Sequence, residues 1–85
     1  MTVDSATRHE IIRHLLDASD TKLTAAQITE ATTLRDDLGI TSMVLIGLAL
    51  DLQDALKINI EDDELIKIKT VGDLFGVIAQ MQKQG

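Results

Sequence analysis

The stretch Leu38-Gly39-Ile40-Thr41-Ser42-Met43, with the apolar run that follows it to residue 57, decides the fold of this chain. Glycine adopts positive φ without a steric penalty, so Gly39 predicts a sharp turn. Thr41 and Ser42 are residue types that cap helix N-termini, and no proline interrupts the run behind them. The pattern therefore predicts a helix over residues 42–57, with the Ser42 hydroxyl near unpaired N–H groups and the positive end of the helix dipole. A hydroxyl in that position suits an attached or approaching phosphate.

This predicted helix is apolar on more than one side. The positions that follow the helical period and should face the core are Leu45, Leu48, Ala49, Leu52 and Leu56. A second face carries Val44, Gly47, Asp51 and Asp54, and the flank between the two carries Met43, Ile46 and Leu50. Because an 85-residue domain cannot easily bury a whole helix, the sequence predicts an exposed apolar patch near Ser42.

Two further helices flank this one. Asp4 or Ser5 can cap the first helix, whose apolar stripe consists of Ala6, Ile11, Ile12, Leu15 and Leu16. Thr70 can cap the last, which has Asp73 in its first turn and the apolar residues Leu74, Phe75, Val77, Ile78 and Met81. Residues 17–37 are polar and predict a long connection with one turn at 24–27, held to the bundle by Leu23, Ile28 and Leu34.

The segment between the second and last helices allows two interpretations. Residues 58–61 and 66–69 alternate with period two, which is typical of strands and would make a hairpin. The intervening Asp62-Asp63-Glu64-Leu65 contains no glycine or Asn-Gly turn, and no other strand is predicted to pair with the hairpin. We therefore favour a short acidic helix over residues 62–66.

Composition limits both the fold and the partners. Residues 1–85 are expected to form a single domain, and with 45% apolar residues but only one aromatic, Phe75, its core must be aliphatic. The net charge of −6 disfavours nucleic acid as a partner, because phosphate binding needs a basic surface. No apolar run approaches the roughly 18 residues of a membrane span, so we expect a cytoplasmic monomer without membrane insertion.

Catalytic and metal sites are poorly supported. A serine nucleophile needs a base, and the only imidazoles, His9 and His14, lie on the first helix and are five residues apart, which is not the spacing of a shared helix face. The acidic pairs are adjacent in sequence and typical of solvated carboxylates, and the cluster at 61–64 lacks the spacing of a calcium loop. By elimination, we expect a binding or carrier protein rather than an enzyme, with no catalytic residue and no metal.

Several segments together resemble an acyl carrier protein. Asp37-Leu38-Gly39-Ile40-Thr41-Ser42-Met43 contains an Asp-Leu-Gly-x-x-Ser core, and Thr70-Val71-Gly72-Asp73-Leu74 follows at the distance seen in that family. Between them lie Ile58-Asn59-Ile60 and Glu61-Asp62-Asp63-Glu64. The resemblance covers residues 11–78 and implies an all-α four-helix bundle with a short third helix and a long connection between helices 1 and 2.

The same resemblance implies a cofactor. Ser42 would receive a 4′-phosphopantetheine arm from coenzyme A, attached by a separate phosphopantetheinyl transferase. The thiol of the arm would carry an acyl group as a thioester between acyl-loading and acyl-processing enzymes, as in fatty acid biosynthesis. Ser42 would then be a substrate hydroxyl, which explains why the chain has no base or thiol of its own.

The chain departs from the family around this serine. The family usually has Asp before the serine and Leu after it, where this chain has Thr41 and Met43. Acidic residues are also common in the family at three positions occupied here by Val44, Gly47 and Gln53. We therefore hypothesise a carrier for a specialised biosynthetic pathway, docking basic or apolar patches of its enzymes through Thr41, Met43, Val44, Gly47, Asp54, Asp62, Asp63 and Glu64.

Two alternatives remain open at this stage. One is a carrier of aminoacyl or peptidyl groups in the same superfamily. The other is a helical adaptor that binds partners through its second helix and never carries an arm. Modification of Ser42 separates the adaptor from both carriers.

Overall fold

A computed structural model of the chain describes residues 3–19 and 22–84, the last two by their backbone alone, and within them lie four α-helices. They are α1 (Ser5–Ala18), α2 (Ser42–Leu56), α3 (Asp62–Leu65) and α4 (Val71–Gln84). The all-α fold with a short third helix is confirmed, and the hairpin alternative is wrong. The only β-type pairing among the described residues is an isolated bridge between Thr33 and Thr70.

Helix α1 begins where its cap predicts. The Thr7 N–H donates to Asp4 Oδ1 at 2.8 Å, so Asp4 is the N-cap. Three stripe residues are buried (Ile11, Ile12 and Leu15) and Leu16 is half-buried, but Ala6 is exposed and Thr7 is buried in its place. The prediction for Ala6 is wrong because residues 7, 11 and 15 recur every four positions and share one helix face. The Thr7 hydroxyl is satisfied there by Gln82 Nε2 of α4, 3.3 Å away.

The connection between α1 and α2 contains one 3₁₀ turn, Ala25–Gln27, as predicted for this segment. Ile28 and Leu34 are buried and Leu23 is half-buried, which confirms them as the residues that hold the connection to the core. Residues 20 and 21 of the predicted connection lie outside the described part of the chain. Its predicted start at residue 17 is two residues early, because α1 continues to Ala18.

Helix α2 starts at Ser42, as predicted, after a turn in which Gly39 has a φ of 67°. It ends at Leu56 rather than at 57, because Lys57 adopts the left-handed conformation that terminates many helices. Leu48, Ala49 and Leu52 are buried, while Leu45 and Leu56 are half-buried. The predicted core face of α2 is therefore confirmed.

The described residues share one aliphatic core around Phe75. Its other fully buried large side chains are Ile11, Leu15, Leu38, Leu52, Val71, Leu74 and Ile78. On α4, Val77 and Met81 are only half-buried. None of the described helices is long and apolar enough to cross a membrane. The single-domain, monomeric and cytoplasmic assignments stay predictions.

Candidate functional site

The loop before Ser42 is attached to the start of α4. The Gly72 N–H donates to the Glu30 carbonyl and the Val71 N–H to the Thr32 carbonyl, both at 2.9 Å. At the start of α4, Thr70 and Asp73 cap the helix with two reciprocal hydrogen bonds. Asp73 N–H donates to Thr70 Oγ1 at 3.1 Å, and Thr70 N–H donates to Asp73 Oδ2 at 3.2 Å. The Thr-Val-Gly-Asp motif therefore anchors a loop that lies far from it in the sequence.

A second reciprocal pair shapes the loop itself. Thr33 N–H donates to Asp37 Oδ2 at 2.8 Å, and Asp37 N–H donates to Thr33 Oγ1 at 3.0 Å. This closes a turn that buries Leu38, and the Ile40 N–H then donates to the Leu34 carbonyl at 2.7 Å. Asp37 in the Asp-Leu-Gly motif is thus a loop-capping residue whose carboxylate holds the approach to α2.

Ser42 is exposed at the first position of α2. Thr41 is its N-cap, and Thr41 Oγ1 accepts the Val44 N–H at 3.4 Å. The Ser42 hydroxyl is therefore not used to cap the helix. Ser42 Oγ instead accepts a hydrogen bond from the preceding loop, donated by Arg35 Nη2 at 3.5 Å. The prediction that Ser42 lies at the start of a helix is confirmed.

A groove of about 490 Å³ opens beside Ser42, between the loop and helices α2 and α3. Its apolar lining comes from Leu34, Leu45, Leu65, Ile66 and Ile68. Its polar and charged lining comes from Thr33, Arg35, Asp36, Ser42 and Lys69. The arrangement offers an accessible hydroxyl at a cationic rim, with apolar surface next to it.

The predicted docking residues lie at the N-cap of α2, along α2 and on α3. The exposed ones are Thr41, Met43, Val44, Gly47, Asp54, Asp62 and Asp63, whereas Glu64 is half-buried. Met43 is 83% exposed and Leu50 59% exposed, so the predicted apolar patch is present. A second groove, of about 290 Å³, brings Ile46 and Leu50 of α2 together with Glu61 and Asp62 at the start of α3.

Two residues near the site were missed by the sequence analysis. Arg35 was not considered, although it is one of only eight cationic residues and lies seven positions before Ser42. Gln53 was named only as a position where the family often has an acidic residue, but its side chain has a structural role, since Gln53 Oε1 accepts the Ile60 N–H at 2.6 Å. Gln53 therefore fixes the α2–α3 connection.

The side chain of His14, one of the two imidazoles of the chain, is held by a contact within α1. His14 Nε2 lies 3.2 Å from Glu10 Oε1 within α1, and Arg13 also bonds Glu10. The hydrogen bond from Arg13 lowers the pKa of Glu10 below its ordinary value. Within residues 3–19 and 22–84, no group of three or more His, Cys, Asp or Glu side chains could hold a metal ion.

Comparisons with known proteins agree with this geometry. Residues 10–78 match the family described as a phosphopantetheine attachment site. An acyl carrier protein of Exiguobacterium sibiricum is 38% identical over 74 residues, which are 85% of this chain and 94% of that protein. An acyl carrier protein of Thermotoga maritima is 36% identical over 75 residues, which are 86% of this chain and 93% of that protein.

A solved structure gives the same result for the fold. A candidate acyl carrier protein from Mycobacterium tuberculosis superposes with a TM-score of 0.77 at 31% identity, covering 87% of this chain and 96% of that one. The chain therefore belongs to the acyl carrier proteins, a family of non-enzymatic carriers that bear a covalently attached 4′-phosphopantetheine.

Proposed function

We propose that Ser42 is the residue to which 4′-phosphopantetheine is attached and that the chain carries acyl groups on this arm. The observation that carries the proposal is the exposed Ser42 hydroxyl at the first position of α2, next to the Arg35 guanidinium and an apolar groove. Ser42, Arg35 and the apolar groove fit the chemistry of a 4′-phosphopantetheine group. A phosphodiester on Ser42 would lie beside a cation and at the favourable end of a helix dipole.

When attached, the group supplies a thiol that holds an acyl chain as a thioester. The chain itself supplies the accepting hydroxyl, held on a capped helix with its approach fixed by Asp37 and Thr33. The imidazole of His14 is engaged by Glu10 within α1. The base that removes the Ser42 proton is therefore expected from the transferase.

The test is the intact mass of the protein after incubation with coenzyme A and a broad-specificity phosphopantetheinyl transferase. The chain offers a matched control in Ser5, which is also an exposed serine at the first position of a capped helix. We expect wild type and Ser5→Ala to gain one arm and Ser42→Ala to gain none. Modification of Ser42→Ala would contradict the assignment, and failure of wild type with several transferases would favour the unmodified adaptor.

We further propose that the carrier serves a dedicated pathway rather than general fatty-acid synthesis. The support is the exposed surface of α2, where Met43, Ile46 and Leu50 present apolar side chains on the helix that begins at the serine. The carboxylates of α2, Asp51 and Asp54, lie in its second half, and Asp62, Asp63 and Glu64 follow in the first turn of α3. Such a surface suits enzymes that dock mainly by apolar contact, with basic groups facing α3.

Substitutions on the exposed surface of α2 test this docking proposal. A side chain at Gly47 meets open space, and Val44 is exposed, so glutamate at both positions should be accommodated. We expect Val44→Glu with Gly47→Glu to improve turnover by general fatty-acid synthesis enzymes. The double variant Val44→Gln with Gly47→Gln is the uncharged control. No gain from the glutamates over the glutamines would refute the proposal.

A further inference from the structure

Arg35 is a cation without a carboxylate partner in the described part of the chain, and it lies beside the candidate serine. Its neighbours in sequence are Asp36 and Asp37, yet no ion pair joins its guanidinium to a carboxylate within the described residues. The Asp37 carboxylate already accepts a hydrogen bond from the Thr33 N–H through Oδ2. The hydrogen bond that Arg35 makes is to Ser42 Oγ, at 3.5 Å. Its charge is therefore available to an anion attached at Ser42.

We propose that Arg35 is a positioning residue that binds the phosphate of the arm on Ser42. This inference rests on the proposed attachment at that serine. The non-bridging oxygens of a phosphodiester would lie one bond beyond the phosphorus joined to Oγ, within reach of a guanidinium that already contacts Oγ. Arginine presents planar, paired donors that match phosphate oxygens, and such charge-assisted bonds are stronger than neutral ones.

The proposal places the phosphate next to an apolar groove. Arg35 and Ser42 both line the groove of about 490 Å³, together with Leu45, Leu65 and Ile68, and Asp36 is the one carboxylate of that lining. A phosphate bound by Arg35 would therefore lie where this groove meets the serine. Lys69, the other cation of the lining, adds positive charge on the α4 side.

The experiment compares apo and arm-bearing forms of wild type, Arg35→Gln and Arg35→Lys. Lys67→Gln is the matched control, because Lys67 is an exposed cation close in sequence to groove residues but does not line the groove. Intact mass and peptide mapping first establish one arm on Ser42 in each protein. Thermal midpoints of both forms and the ³¹P NMR spectrum of the arm-bearing form are then recorded at low and high salt.

We expect the arm to raise the midpoint of wild type and of Lys67→Gln. In Arg35→Gln the rise should be smaller by on the order of 2–5 °C, as for loss of one exposed charge pair in a domain of this size. Arg35→Lys should retain part of the rise in thermal midpoint that the arm gives to wild type. The ³¹P resonance of Arg35→Gln should move towards that of the unfolded arm-bearing protein, and high salt should move wild type the same way.

Two results would overturn the inference while leaving the proposed attachment intact. One is an equal midpoint rise and an equal ³¹P shift in wild type and Arg35→Gln. The other is slower arm transfer to Arg35→Gln with an unchanged ³¹P spectrum, which would make Arg35 a docking residue for the transferase. A wild-type protein that takes no arm at all would instead remove both the attachment and the role of Arg35.

Discussion

The Gly72 N–H donates to the Glu30 carbonyl oxygen at 2.9 Å, and this contact would crowd a side chain on Gly72. A Cβ at that position would lie 3.0 Å from both Glu30 Cβ and Glu30 O. Neither atom is the end of a flexible side chain, so the loop at Glu30 would have to shift by a few tenths of an ångström. The glycine of the Thr-Val-Gly-Asp motif therefore allows the loop that leads to Ser42 to rest directly on α4.

Gly72→Ala is expected to destabilise the protein by about 1 kcal/mol or more, since crowding a tight contact outweighs the gain in helix propensity. Gly76→Ala in the same helix is the control, because a Cβ there meets nothing within 4 Å. It should stabilise by up to about 1 kcal/mol. Urea denaturation of both variants measures the difference, and changes of the same sign would show that the Glu30 contact does not limit residue 72.

Asp37→Ala is expected to cost about 1 kcal/mol of unfolding free energy, as for the loss of a side-chain cap. The physical reason is that the Thr33 N–H loses its acceptor at 2.8 Å. Asp37→Asn keeps an acceptor oxygen and should lose much less. Chemical denaturation gives both values, and equal losses in the two variants would assign the effect to charge rather than to the hydrogen bond.

Gln53→Leu should cost about 1–2 kcal/mol, because it leaves the half-buried Ile60 N–H without an acceptor. Gln53→Glu retains an oxygen in the same place and is expected to preserve stability. The structural basis is the 2.6 Å bond from the Ile60 N–H to Gln53 Oε1. Denaturation midpoints, together with hydrogen exchange at Ile60, check the prediction. Rapid exchange at Ile60 in wild type would contradict it.

Asp4 gives a prediction for pH. Hydrogen bonds from the Thr7 backbone N–H, and from its side chain, hold the pKa of Asp4 below its ordinary value. A lowered folded-state pKa means that the ionised cap stabilises the protein above the unfolded value of about 3.9, and that this contribution is lost as pH falls through the folded value.

Wild type should therefore lose thermal stability relative to Asp4→Asn as the pH is lowered from about 4, since asparagine caps the helix without titrating. Asp51→Asn, at an exposed position within α2, is the control for general loss of negative charge. Thermal midpoints between neutral and acidic pH measure all three proteins. Parallel curves for wild type and Asp4→Asn would refute a role for the Asp4 charge.

Most of the fold follows from short-range patterns. Asp4, Thr41 and Thr70 each predict a helix start because a cap bonds N–H groups only a few residues away. The apolar spacing of α2 predicts its core face for the same reason. The prediction for Ala6 was wrong because the helical period allowed either Ala6 or Thr7 to face the core, and Thr7 is the one that is buried. Packing against Gln82 of α4 accompanies burial of Thr7, and a single helix carries no information about that partner.

The candidate site was also only partly predictable from the sequence. The sequence placed Ser42 at a helix start and predicted the apolar patch around Met43 and Leu50. The structural role of Gln53 was missed, because the period of an isolated helix cannot reveal that the following loop returns to bond that side chain. Arg35 was missed since its contact with Ser42 depends on how the turn between them closes.

By itself, then, the sequence determined the helices, the aliphatic core and the serine that follows the Thr41 cap, because caps and helical period act within a few residues. The spacing of motifs at residues 37–43 and 70–74 carried the resemblance to carrier proteins. The tertiary structure alone decided that Glu30 rests on Gly72, that Arg35 reaches Ser42 and that an apolar groove opens beside that hydroxyl. These relationships join segments whose approach is set by burial of the shared core, which no local pattern encodes.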